Sequence, residues 1–210
     1  MPARTMQAGC AAAGILLLLA AVGLAAEASE RISDVGTLTR DPTALAGVPW
    51  WTGAMSRLTN LCWAAAAALN GLAARAASSP HRRPLLLLAG LCAVLALDDT
   101  LLIHESILPG HGVPEDLAMV FYAGAGLLLA WLWWRTPWRR TVLAAFFTGG
   151  AFLALSVASD AAHVVPILVE DGAKLAGIVA WCFCGAWAHS DMLALRQEQQ
   201  IEVTSGAPRP

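Results

Sequence analysis

The chain has 210 residues, of which 58% are hydrophobic and 13% charged, about half the charged share of a soluble domain. That balance excludes a soluble globular enzyme, a disordered chain and a disulfide scaffold, and it points to a polytopic membrane protein. Thirteen Lys and Arg against fifteen Asp and Glu leave no basic excess for a nucleic-acid partner.

Six apolar stretches predict transmembrane helices, at about residues 9–26, 50–73, 84–105, 116–134, 141–163 and 169–190. Each approaches the roughly 20 residues that a hydrocarbon core of about 30 Å requires. The first has features of a signal peptide: Arg4, the run Gly14–Leu19, then Ala25-Ala26. Leu24 sits where cleavage prefers a small residue, so the expectation is an uncleaved anchor. Ser78-Ser79-Pro80, Pro109-Gly110-His111-Gly112 and Pro137 break the chain between later spans. Pro114-Glu115-Asp116 opens the fourth span, with acids suited to the helix dipole. The expected architecture is an all-α bundle over residues 1–195. A disordered tail follows over residues 196–210.

The cations orient this bundle. Arg4, Arg75, Arg82, Arg83, Arg135, Arg139, Arg140, Arg196 and Arg209 fall on one side, nine of the thirteen. The other side's loops hold Arg31 and Arg40 among acids. The positive-inside rule then places both termini in the cytoplasm of a bacterial inner membrane. Trp131, Trp133, Trp134 and Trp138 are expected in an inner aromatic belt, and Trp50 and Trp51 in an outer one. Cys62, Cys92, Cys182 and Cys184 read as small packing residues. Gly124, Gly126, Gly149 and Gly150 read as points of close helix approach. His189 and Asp191 are expected to be solvated.

With this orientation, ionisable residues collect at one depth. Span three ends Leu97-Asp98-Asp99-Thr100-Leu101-Leu102-Ile103-His104-Glu105. Span five carries Ser156, Ser159, Asp160 and His163, span six opens with Glu170, Asp171 and Lys174, and span two has Arg57 and Asn60 near its start. Ser156, Asp160 and His163 share one helical face, as do Asp98 and Glu105. A charge at the bilayer centre costs about 2.5–3.5 kcal/mol on insertion scales, so these groups should face the bundle interior. Two readings follow. Arg57 and Lys174 pair with the acids in a structural network, or the excess of carboxylates with two histidines holds a metal ion such as zinc. In the second, Asp99, His104, Asp160 and His163 are the ligands, with Glu105 and Asp98 as catalytic carboxylates. Arg57, Asn60, Ser156, Ser159, Glu170, Asp171 and Lys174 then complete a pocket between spans two, three, five and six.

The segments LDDTLLIHE, PEDLAMVFYAG and LVEDGAKLAGIVAWC resemble a group of bacterial multi-pass membrane proteins sharing a DD-to-HE and an EDG-K segment. That resemblance covers roughly residues 84–190 and implies no activity. In donor chemistry the chain is also similar to the ceramidase and progestin–adipoQ-receptor superfamily, whose Asp, Ser and His residues hold zinc near one membrane face. Ser156 or Ser159 with Asp160 and His163 matches that set, without the superfamily's HxxxH pair. The leading expectation is a metal-dependent hydrolase of a lipid-like substrate drawn from the membrane. The alternatives are proton or cation translocation and a non-catalytic subunit or assembly factor of a membrane complex.

Overall fold

In the computed structural model the described residues are 42–49, 51–162 and 166–205. They fall into two units, one ending at Ala54 and one running from Met55. Regular structure among them is entirely helical. Among the described residues of the first unit is a short helix, α1 (Pro42–Ala46), closed by Gly47 at φ 64. Pro42 is pre-set for the first helical position, and Gly47 takes the left-handed conformation that ends it.

The second unit contains five long helices: α2 (Ala54–Ala76), α3 (Arg82–Leu101), α4 (Glu115–Arg135), α5 (Arg140–Ala162) and α6 (Ile167–Ser205). Four of these are long and apolar enough to cross a membrane, over Arg82–Leu101, Glu115–Arg135, Arg140–Asp160 and Leu168–Glu198. The stretch expected as a second span is a helix of sufficient length. Its alanines are weakly apolar, and Arg57, Asn60, Asn70 and Arg75 lower its hydropathy below that of the other four. The expected first span, 9–26, lies outside the described residues.

Helix α2 is alanine-rich, which favours the helix, and it buries Thr59, Trp63, Ala66, Asn70 and Ala73. That spacing of four, three, four and three is one helical stripe. Its small members let α6 approach closely: a Cβ on Gly185 would stand 2.8 Å from the Asn70 backbone nitrogen. Asn70 is buried there, and its amide donates to the Ala66 carbonyl at 2.9 Å and the Trp181 carbonyl at 3.1 Å. The α5–α6 crossing works in the same way. A Cβ on Gly177 would lie 2.8 Å from the Gly149 carbonyl, and one on Gly149 would run into the Trp181 ring. Of the four glycines expected at crossings only Gly149 is at one, because Gly124, Gly126 and Gly150 have open space where a Cβ would go. The glycines that matter with it are Gly177 and Gly185.

The core holds Trp63, Leu85, Leu88, Cys92, Trp133, Val142, Phe146, Ile178, Trp181 and Cys184. The expected inner belt divides. Trp131 and Trp134 are 54% and 72% exposed, Trp133 is wholly buried, and Trp138 is half-buried and stacked on Trp133. The last two are packed against the core. The indole Nε1–H groups of Trp133 and Trp138 are buried and find no acceptor among the described residues, an arrangement that costs about 1–3 kcal/mol per group. The four described cysteines are free thiols. Cys92 and Cys184 are buried, while the partly buried Cys182 directs its thiol to the Cys62 carbonyl at 3.5 Å.

Helix α6 continues through residues 196–205, where a disordered tail is expected. Gln and Glu in this stretch are sound helix formers, and Arg196 anchors it by donating to the Arg75 carbonyl at the end of α2 (3.1 Å). Asp191, expected to be solvated, pairs with Arg139 at 3.4 Å. Nδ1 of His189 is buried and without a hydrogen-bonding partner among the described residues.

Candidate functional site

The buried polar group is built where α3 stops. A straight helix would carry His104 about 9 Å beyond Asp98 and onto a different face. Leu102 prevents this. It adopts φ 52 and ψ 44, the left-handed region, and its N–H donates to the Asp98 carbonyl. For a leucine that conformation costs roughly 1–2 kcal/mol. A single turn of π-helix, Ile103–Ile107, follows at once; such turns are frequent at functional sites. Together they fold the chain back so that His104 meets Asp98.

Asp98 then holds His104 at two points. Its Oδ1 accepts the His104 backbone N–H at 2.9 Å, and its Oδ2 makes a short contact with His104 Nδ1. An ionised carboxylate only accepts, so Nδ1 carries the proton and Nε2 presents its lone pair, an assignment made from the hydrogen-bond geometry. Nε2 stands 3.6 Å from Oε1 of Glu105, whose side chain is about half exposed. Asp98 and His104 are both buried. From α4, Tyr122 stands near Asp98.

Asp99 ties three helices together. Its Oδ2 accepts Trp63 Nε1–H from α2 at 3.0 Å and faces Lys174 Nζ of α6 at 2.8 Å. Lys174 therefore neutralises Asp99. The Asp98–Asp99–His104–Lys174 set carries one net negative charge while His104 is neutral. A set in that state attracts a cation.

Asp98, Asp99 and His104 each offer one donor atom, and the three atoms lie within 4.8 Å of one another. Donors on one ion at bond lengths of about 2.1 Å sit roughly 3.4 Å apart in a tetrahedron. Bringing the three onto one ion would take a contraction of up to about 1.4 Å. Both Asp98 oxygens are engaged by His104 here, so serving as a ligand beside His104 would require one of them to leave that contact.

The structure brings Asp98, Asp99, His104, Glu105 and Lys174 together. It does not bring Asp160, which is exposed and stands outside the Asp98–Asp99–His104 group. His163 lies outside the described residues. Ser156 and Ser159 are buried on α5. Asn60 is half-buried, its Oδ1 without a partner among the described residues, and Arg57 is exposed. Glu170 and Asp171 are half-buried at the start of α6. Among the described residues, side chains of α2, α3, α4 and α6 stand around the group. Sequence reasoning passed over Trp63 and Tyr122. Tyr122 is the chain's single tyrosine, set in an apolar span where its hydroxyl needs a partner, and that was a usable signal. Trp63 gave none beyond its place on the buried stripe of α2.

A family model described as "Domain of unknown function (DUF8692)" matches residues 10–188. Neither a curated protein nor a solved structure matches the chain.

Proposed function

The chain belongs to the DUF8692 family, and from the geometry of its buried polar group we propose that it is a multi-pass inner-membrane protein that holds a divalent cation at Asp98, Asp99 and His104. The observation that carries this reading is the convergence of those three donors, two of them buried, at the end of a membrane-length helix. The topology that goes with it has six spans and both termini in the cytoplasm, because the Arg-rich loops around residues 75–83 and 135–140 lie on one side.

The chemistry that suits such a site is hydrolysis of a lipid-like substrate. A divalent ion supplies the Lewis acidity that makes water a nucleophile near neutral pH. Glu105, half exposed and 3.6 Å from His104 Nε2, is placed to take the proton. Elemental analysis after chelation and reconstitution with zinc or manganese tests the reading. The expected result is one ion per chain in the wild type and none in His104→Ala. Glu105→Gln should keep the ion and lose turnover of a labelled membrane lipid. Absence of stoichiometric metal under all reconstitutions overturns the proposal.

One observation favours a second reading, proton translocation. Titratable groups stand in line from exposed Glu105 through His104 to Asp98 and Tyr122. Proton flux into liposomes, lost in His104→Gln, separates it from the first.

A further inference from the structure

One end of the bundle collects guanidinium groups where its apolar helices begin and end. Of the four windows long and apolar enough to cross a membrane, one begins at Arg82, one ends at Arg135 and one begins at Arg140. Arg83 follows Arg82, and Arg139 precedes Arg140. All five residues are exposed.

A contact between two corners brings these arginines to one place. His81, just before α3, donates from Nε2 to the Pro137 carbonyl at 2.9 Å; a carbonyl only accepts, which sets the direction of the bond. The His81 ring also stands edge-on to Trp138 at 4.7 Å between centroids. Arg82 follows one of these rings in the chain and Arg139 follows the other. Trp138 stacks on Trp133 at 4.4 Å, against the core, so the corner between α4 and α5 is fixed to the helices it joins. Two arginine-bearing corners are thus held side by side.

Neither corner brings a carboxylate of its own. No acidic residue occurs between Asp41 and Asp98, or between Asp116 and Asp160. Asp191 of α6 reaches in and stands 3.4 Å from Arg139. Five guanidinium groups facing that one carboxylate leave an excess of four positive charges. Membrane topology needs only positive charge at such an end, and lysine supplies it equally well. Each of the five is arginine, while the chain's one lysine, Lys174, pairs with Asp99 near the far end of α3. Guanidinium differs from ammonium in its planar fork of donors, which grips two oxygens of one phosphate at once. The surface beside the arginines suits acyl chains, for Leu86, Leu87 and Trp134 are exposed. Arg135 lies over the ring of exposed Trp131, with Cζ 5.3 Å from the centroid, a cation–π contact that holds the guanidinium beside the ring.

We propose that this cluster binds a phospholipid whose headgroup carries two phosphodiesters, one phosphate at each corner, with its acyl chains along the exposed apolar faces of α3 and α4. Arg82 and Arg83 serve one phosphate, and Arg139 and Arg140 the other. Basic pockets between membrane helices suit such headgroups, because each cation near the surface adds to the attraction. The lipid bridges the start of α3 to the α4–α5 corner, as His81 does within the chain. The site lies at the opposite end of α3 from Asp98 and Asp99, and it does not depend on a cation there.

The test uses the full chain in mild detergent, stripped of lipid. Native mass spectrometry follows addition of diphosphatidylglycerol, phosphatidylglycerol or phosphatidylethanolamine with matched acyl chains. The two-phosphate lipid should bind at one per chain, about tenfold more tightly than phosphatidylglycerol. Arg83→Gln combined with Arg140→Gln should weaken it about 25-fold, roughly fivefold for each guanidinium removed. Arg83→Lys combined with Arg140→Lys keeps the charge and guards against a misfolded glutamine variant; it should lose most of the preference between the two anionic lipids. Arg196→Gln removes a charge that is tied instead to the Arg75 carbonyl, and it should leave binding unchanged. Equal binding of the two anionic lipids overturns the proposal. So does a loss in Arg196→Gln equal to that in the glutamine pair, which would mean a diffuse effect of charge. A full preference kept by the lysine pair overturns recognition by guanidinium, and displacement of the lipid by its deacylated, water-soluble headgroup at equal concentration overturns the assignment to a lipid.

Discussion

Asp98→Asn changes one oxygen to an amide nitrogen and should change which nitrogen of His104 carries the proton. In the wild type Asp98 Oδ1 accepts the His104 backbone N–H at 2.9 Å while Oδ2 takes the Nδ1 proton. The asparagine oxygen can keep the first bond. The new amide group donates, so the second survives only if Nδ1 accepts and the proton moves to Nε2. Losing a charge-assisted hydrogen bond costs about 1.5–3 kcal/mol. Removing a carboxylate from this depth recovers about 2.5–3.5 kcal/mol on insertion scales. The two oppose each other, so stability should fall by no more than about 0.5 kcal/mol and could rise by up to about 2 kcal/mol. The tautomer should invert, and with it the lone pair at Nε2 that a metal ion or a proton would use. Nitrogen-15 NMR of histidine-labelled protein, with the His104 signals assigned from a His104→Gln spectrum, reads this directly. An unchanged tautomer in Asp98→Asn would refute the assignment of Nδ1 as the donor. So would a loss of stability of several kcal/mol, which would mean that the two opposing terms do not balance as argued.

Three other outcomes follow from the same geometry. Lys174→Met leaves Asp99 without its cation; chemical unfolding should show a loss of about 2 kcal/mol, less than the 3–5 typical of fully buried pairs because Lys174 keeps 31% of its side chain exposed. The same variant should bind zinc or manganese more tightly by calorimetry, since the ion no longer competes with an ammonium for Asp99. Leu102→Gly should be neutral or stabilising by up to about 1 kcal/mol, relief of left-handed strain outweighing the entropy of glycine, whereas Leu102→Val should destabilise and weaken the His104–Asp98 contact seen by NMR. Gly177→Ala drives a Cβ to within 2.8 Å of the Gly149 carbonyl and should lower stability by about 1–3 kcal/mol or more, while Gly124→Ala, with nothing within 4 Å, should not.

Hydropathy and breaker residues make four helices of membrane length legible in the sequence, because burial of apolar side chains and satisfaction of the backbone are local demands. The inward turn of Asp98, Asp99 and Lys174 is legible for the same reason. Their partners are less so. Helical spacing suggests that Ser156, Asp160 and His163 share a face, but it does not say which way that face turns, and Asp160 is exposed. Nothing in the periodicity announces a leucine at positive φ, so the return of His104 onto Asp98 could be anticipated only as a bend at the end of a helix. The division of Trp131 and Trp134 from Trp133 and Trp138 depends on the neighbours of α4, and adjacent indoles do not reveal it. The glycines divide likewise: Gly149 meets α6 while Gly150, one residue on, meets nothing.

The cation site is tested most directly by electron paramagnetic resonance of the protein reconstituted with manganese(II), comparing natural-abundance and nitrogen-15 histidine-labelled samples. The account predicts one bound ion per chain with a hyperfine coupling to a single imidazole nitrogen, that of His104, abolished in His104→Gln. Bound manganese with no imidazole coupling, or with the coupling unaltered in His104→Gln, would contradict it.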